Sequence, residues 1–213
     1  VTDFVTKVAN EFKCKPVEGL QSHLMKRNVY DGEKSIIWNP TEEQRKSVEK
    51  CNFEVHEVWC VDVLVSSGEG KPKESEVRTT VFKKNDTLYQ LKMKASRQFY
   101  TEVTKKFQAY PFSLRSVEDE NKARMGVKEC VTHDLVQALP VYNDKEGEFV
   151  AQFKYTLLLM PNGQMKISGI PVDTSLYQSE HKIQDTEIKE VLASSVRKTQ
   201  KKKKKAGADK GDN

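Results

Sequence analysis

The chain has 213 residues, 31% of them charged and 37% hydrophobic, with a formal net charge of +5. That length buries one sizeable core with room for a subdomain, and no apolar run is long enough to span a bilayer or to form a signal-peptide core, so membrane insertion is not expected. Cys14, Cys51, Cys60 and Cys130 form no CxxC pair and no zinc-ligand spacing, which argues against a disulfide scaffold and for free thiols in a reducing compartment.

The charge is unevenly placed. Arg197 to Asn213 carries eight basic residues against Asp209 and Asp212, a net of +6, which leaves −1 on residues 1–196. Lys71 to Phe107 adds ten basic residues against four acids. A basic tail with a basic patch points to a polyanionic partner, most often nucleic acid. The sequence opens on Val1 and not on Met, so residues that complete the fold are expected upstream.

In chain order, Phe4, Val5, Val8, Ala9 and Phe12 recur at helical spacing, with Thr2 or Asp3 as the cap. Lys15 to Lys34 reads as irregular, carrying His23 and an Asp31-Gly32 turn. A short strand, SIIW, ends at Asn39-Pro40. Thr41 to Lys50 is polar and fits a loop or an exposed helix, of which a solvated connection is the better reading. FEVHEVWCVDVLVSS is a strong strand with His56, Val58, Cys60, Asp62 and Leu64 on one face. SGEGKPK lacks the phosphate-loop spacing and reads as a turn. RTTVFKK is a strand. From Lys92 the period becomes helical, with Ala95, Phe99, Val103 and Phe107 on one face, and SVEDENKARMGVKECV is a second helix with Ser116 as its cap. A last helix starts at Asp185 with Ile188, Val191 and Leu192 inward. It runs into a Lys-rich end expected to be disordered.

Glu148 to Gly163 is the longest strand-like run, closed by Pro-Asn-Gly, with apolar residues on both faces and Lys154 at its middle. Such a strand is expected to be buried. A lysine there either snorkels to solvent or needs a partner, a water-filled cavity or an altered pKa, because a bare buried ammonium is costly. Asp62 sits in the same way within its own strand. Two strands with one central charge each suggest facing walls of a polar pocket.

His23 in a loop, Asp62 in one strand and Lys154 in the last long strand resemble the second half of a type II methionine aminopeptidase. SHLMKRNVYDGEK resembles that family's histidine loop, HEVWCVDVLVSSGEG its first glutamate strand and AQFKYTLLLMPNG its final glutamate strand. The resemblance implies an α+β pita-bread (creatinase/aminopeptidase-like) fold of which this chain is the C-terminal half, with a type II helical insert. The expected division is 1–89 with 140–196 as the pita-bread half, 90–139 as the insert and 197–213 as the tail.

The departures from that pattern bear on activity. The family's two aspartate ligands have no counterpart here, Asp62 replaces a glutamate, Asp31 stands for the substrate-facing histidine, and Lys154 stands for the last glutamate ligand. An ammonium has no lone pair and opposes a dication. His23, Asp31, Asp62 and Lys154 thus read as remnants of a metal site, with no metal or other cofactor expected.

FSLRSVEDENKARMGVKEC, GEFVAQFKYTLLLMPNG and RKTQKKKKK are similar to the proliferation-associated, ErbB-receptor-binding branch of this superfamily. That branch lacks peptidase activity. The similarity implies an RNA-binding factor that associates with the large ribosomal subunit near the exit tunnel, takes part in ribosomal RNA processing, and moves between cytoplasm, nucleus and nucleolus. It also implies receptor-tail and transcriptional-corepressor partners, although the last helix reads IKEVLASS without an LxxLL pattern. RNA contact is expected from Arg197, Lys198, Lys201, Lys202, Lys203, Lys204 and Lys205, and from Lys92, Lys94, Arg97, Lys105 and Lys106 on the insert. The alternatives are a tail for solubility or import and a solvated helix face. No RNP-type aromatic pattern is present, so base-specific readout of that kind is not expected. The rival reading is a truncated metallo-aminopeptidase.

Overall fold

The computed structural model describes residues 1–196; the tail from Arg197 onward, with the disorder and RNA contacts expected of it, lies outside them. Helix α1 (Thr2–Glu11) turns Phe4, Val5, Val8 and Ala9 inward, as their spacing requires. Neither Thr2 nor Asp3 caps it. Val1 holds the cap position without a side-chain bond, and the Thr2 hydroxyl instead donates to the Ile37 carbonyl at 3.0 Å, tying helix to sheet.

Strands β1 (Lys15–Pro16), β2 (Gln21–Met25) and β3 (Ser35–Ile37) follow. His23 therefore lies on a strand and not in a loop. Ser22 and Leu24 are buried while Gln21, His23 and Met25 are half-buried, a period-two pattern hidden by its polar composition. Residues 42–47 also depart from expectation, forming helix α2 (Glu42–Ser47). The Thr41 hydroxyl accepts from the Gln44 backbone N–H at 3.2 Å, and the Gln44 side chain accepts from the Thr41 N–H at 3.0 Å, a capping box that holds a short polar helix.

Strand β4 (Val58–Ser66) starts later than its apolar run suggests, because His56 turns with φ 74° and so does not share the Asp62 face. Then come β5 (Lys73–Glu74), β6 (Val81–Lys84), α3 (Lys94–Lys106), β7 (Phe112–Ser113), α4 (Glu120–Thr132), β8 (Val136–Ala138) and β9 (Tyr142–Asn143). The chain ends with β10 (Val150–Met160), β11 (Gly163–Lys166) and α5 (Thr186–Ala193). Asp119, not Ser116, caps α4 by accepting from the Lys122 N–H at 3.0 Å; Ser116 falls in the 3-10 turn before it.

The main sheet runs β11-β10-β4-β2-β3, with β1 also on β4, and every pairing is antiparallel. Trp38, Trp59 and Ile188 are fully buried beneath it, and each such apolar side chain contributes about 2 kcal/mol of transfer free energy. In α5 the Asp185 side chain accepts from the Glu187 and Ile188 N–H groups, as its sequence signals. Of the three apolar residues expected inward, only Ile188 is. Val191 and Leu192 are 51% and 67% exposed. The first half of β10 also departs from expectation, being exposed on both faces, with Val150 at 44% and Phe153 at 50%, and Phe149 just before it at 81%.

A second body hangs from this sheet. Strands β7-β6-β8 form their own sheet, and Phe82, Phe99, Val103, Phe112, Val127 and Leu135 share one core with α3 and α4. Phe82, from β6, belongs to that core. Gly126 lets the two helices close. A Cβ there would lie 2.8 Å from the Ala95 carbonyl oxygen.

Candidate functional site

The register of β4 against β10 sets Asp62 directly opposite Lys154, on one face of the sheet. Lys154 Nζ donates to Asp62 Oδ2 at 2.7 Å and Gln152 Nε2 donates to Asp62 Oδ1 at 2.8 Å. The two charges are thus neighbours in one sheet and do not face each other across a pocket. The Asp62 side chain is 11% exposed and that of Lys154 57%, so the lysine has both a partner and access to water. Burial alone pulls the Lys154 pKa down, but the hydrogen bond and charge of Asp62 raise it above its ordinary value.

The backbone of Asp62 is equally fixed. Its N–H donates to Ser22 Oγ at 2.9 Å, and its carbonyl accepts from Ser22 Oγ at 3.1 Å and from Trp38 Nε1 at 2.7 Å. Those bonds hold β4 to β2 and fix where the carboxylate stands.

His23 pairs with Cys60 on β4, which places it one residue pair along the face from Asp62. Burial pushes its pKa down; Asp31 works the other way, and Lys154 adds to the lowering. At neutral pH the imidazole is therefore neutral. Asp31, in the turn after β2, accepts from Lys83 Nζ at 2.8 Å. Burial by itself raises the Asp31 pKa, but the Lys83 hydrogen bond and charge bring it below the usual carboxylate range. The face thus brings His23, Asp31, Asp62 and Lys154 together and adds Lys83 and Gln152. Reading the strands one at a time missed both additions, since RTTVFKK carries no signal that one of its lysines crosses to another sheet.

The donor set is wrong for a dication. Both oxygens of Asp62 accept from N–H donors, Asp31 is taken by an ammonium, and Lys154 brings positive charge to the same face. Among the described residues no three His, Cys, Asp or Glu side chains converge as metal ligands.

The insert lysines divide into two groups. Arg97 donates to the Leu91 and Lys92 carbonyls at 3.1 and 2.7 Å, and Lys106 bonds Glu102 at 2.7 Å and Glu118 at 3.1 Å. Lys92, Lys94 and Lys105 are exposed and, among the described residues, enter no ion pair. Lys105 borders a groove of about 610 Å³ between α3 and α4 whose lining alternates Arg97, Lys105, Lys106 and Lys122 with Glu102, Glu118 and Asp119. Among the described residues no helix is long and apolar enough to cross a membrane.

The chain is 40% identical over 205 residues to a Schizosaccharomyces pombe protein named curved DNA-binding protein, covering 96% of this chain and 54% of that protein. It is 43% identical over 212 residues to Arabidopsis thaliana ERBB-3 binding protein 1, covering 99% and 51% respectively. The chain is a partial-length homologue of proteins named ERBB-3 binding protein 1 and proliferation-associated protein A. It spans about half the length of the curated relatives it matches. A Verticillium alfalfae methionine aminopeptidase 2 matches more weakly, at 26% identity over 159 residues, covering 74% of this chain and 35% of that enzyme. Among solved structures, a thermophilic Arx1 superposes with a TM-score of 0.82 at 36% identity, over 93% of this chain and 53% of that one. With the aminopeptidase match, that superposition establishes the pita-bread fold. No protein-family model matches the chain.

Proposed function

We propose that this chain is a non-catalytic, ribosome-associated binding module that contacts ribosomal RNA on the large subunit through basic groups. The observation that carries the non-catalytic reading is the Lys154–Asp62 ion pair at 2.7 Å, in the position where the resemblance to aminopeptidases calls for a glutamate ligand. An acid tied to an ammonium and an amide neither gathers metal ions nor activates a water. The RNA reading rests on charge: the tail Arg197–Asn213 at +6, and Lys92 before α3 with Lys94 and Lys105 on it, which enter no ion pair among the described residues. It is in keeping with a relative named for binding curved DNA, another polyanion. Cytoplasmic and nuclear or nucleolar residence follows from that role.

Co-sedimentation tests the reading. The protein is expected to travel with the large subunit, to be released by RNase, and to lose most of its association when Arg197 to Asn213 is deleted. Association that survives both RNase and the deletion contradicts it.

A second reading, an adaptor for a receptor tail or a corepressor complex, is favoured by a relative named for ERBB-3 binding. RNase-insensitive capture of a receptor tail distinguishes it. Turnover of Met-Ala peptides, with close to two metal ions per full-length chain, supports the rival peptidase reading.

A further inference from the structure

The body built from β6, β7, β8, α3 and α4 joins the main sheet by two chain crossings, and these crossings pair with each other. Lys73 and Glu74 of β5 lie against Asn143 and Tyr142 of β9, and the Ser75 N–H donates to the Val141 carbonyl at 2.8 Å. A two-stranded ribbon fixes the body's distance from the sheet but leaves it free to swing and twist. A second point of attachment is needed to set its orientation. One is present at the remnant of the metal site.

Lys83 leaves β6 of the small sheet and reaches the turn that follows β2 of the main sheet. Its Nζ bonds Asp31 Oδ2 at 2.8 Å and stands 4.9 Å from the centre of the Tyr30 ring. Tyr30 in turn packs on Tyr110, which follows α3, with ring centroids 6.1 Å apart. An ion pair, a cation–π contact and a ring contact thus join the two bodies at one spot. The spot adjoins His23, whose charge environment includes Asp31, Asp62, Lys83 and Lys154 together.

We propose that the former metal site has become a latch between the two bodies: Lys154 and Lys83 take the places of the cations, and Lys83, because it comes from the small body, fixes that body's orientation on the main sheet. The side chains of Lys83 and Asp31 are 26% and 39% exposed, so the pair is partly sheltered from salt while remaining able to open. Lys83 is a positioning residue here. It acts on where α3 and its lysines are held, whatever those lysines bind, so the proposal does not depend on the RNA-binding reading.

Residual dipolar couplings on the weakly aligned full chain test it, because they report the orientation of each body separately. In the wild type, couplings from β4 and β10 and from α3 and α4 are expected to fit one alignment tensor. Lys83→Glu turns attraction into repulsion and is expected to split the fit into two tensors. Adding Asp31→Lys reverses both charges and is expected to restore one. Lys83→Gln, which keeps most of the stem, serves if Lys83→Glu does not fold, and is expected to split the fit less. A wild type that needs two tensors, a single tensor retained in the Lys83 variants, or a split that persists in the charge-reversed pair overturns the proposal.

Discussion

Lys154 and Asp62 stand directly opposite each other in the β10–β4 ladder, joined at 2.7 Å, and the acid is by far the more buried of the two. The asymmetry decides how each responds to replacement. Lys154→Met leaves the nearly buried Asp62 carboxylate without its counter-ion, and is expected to cost more than about 1 kcal/mol. Asp62→Ala removes the buried acid together with its desolvation penalty and leaves a Lys154 ammonium that already reaches water, so it is expected to cost less. Urea melts of both variants check the order; equal or reversed costs contradict it.

Lys154→Glu sets two carboxylates opposite each other in the ladder. Like charges in that position repel, so a loss of about 1 kcal/mol is expected, shrinking as salt is raised. Thermal melts at low and high ionic strength read this directly, and an unchanged melting temperature at low salt counts against the pair's geometry.

His23 gives a pH dependence with a defined sign. Its folded pKa lies below the ordinary histidine value, so the unfolded chain binds the proton more readily. Stability from this group is complete above the unfolded pKa, about 6.5, and falls as pH drops from there toward the folded value. His23→Gln is expected to flatten that stretch of the stability–pH curve. A curve of unchanged slope shows that the imidazole is not desolvated.

Gly126→Ala tests the closeness of α3 and α4. Alanine favours a helix over glycine by about 1 kcal/mol, but its Cβ would meet the Ala95 carbonyl oxygen at 2.8 Å. That backbone atom has little freedom to move, and overpacking of this kind costs about 1–3 kcal/mol, so a net destabilisation is expected. An increase in the urea midpoint contradicts the packing described.

The cationic face of α3 separates into bases that are engaged and bases that are not. Replacing Lys92, Lys94 and Lys105 together by alanine is expected to weaken RNA binding while leaving the melt nearly unchanged. Lys106→Ala is expected to disturb the Glu102–Glu118 junction and to affect RNA less. Titration of both variants against ribosomal RNA, with a thermal melt of each, separates the two groups.

Much of this was legible in the sequence wherever one element decides its own form. The apolar spacing of Phe99 and Val103, the Asp185 cap and the Pro161-Asn162 hairpin are local signals, and each stands in the structure. What depends on two elements was not legible. His23 looked like a loop residue because its strand is polar on one face, and α2 looked like solvent because its stability lies in one reciprocal cap. The exposure of Phe149 and Phe153 contradicts a rule that equates apolar faces with burial, since burial also needs something to lie on top. At the site the strand register put Asp62 beside Lys154, whereas Lys83 arrives from 52 residues beyond Asp31 and no pattern along one strand announces it.

The central claim is that this chain binds RNA by phosphate neutralisation and performs no chemistry. The affinity of the full chain for ribosomal RNA, measured against salt with and without Arg197 to Asn213, tests it most directly. Each phosphate contact contributes about 0.7–0.9 to the slope of log affinity against log salt. The account predicts a steep slope for the full chain, and weaker binding with a slope shallower by several such contacts for the shortened one. Equal affinity and equal slope for the two proteins would contradict it.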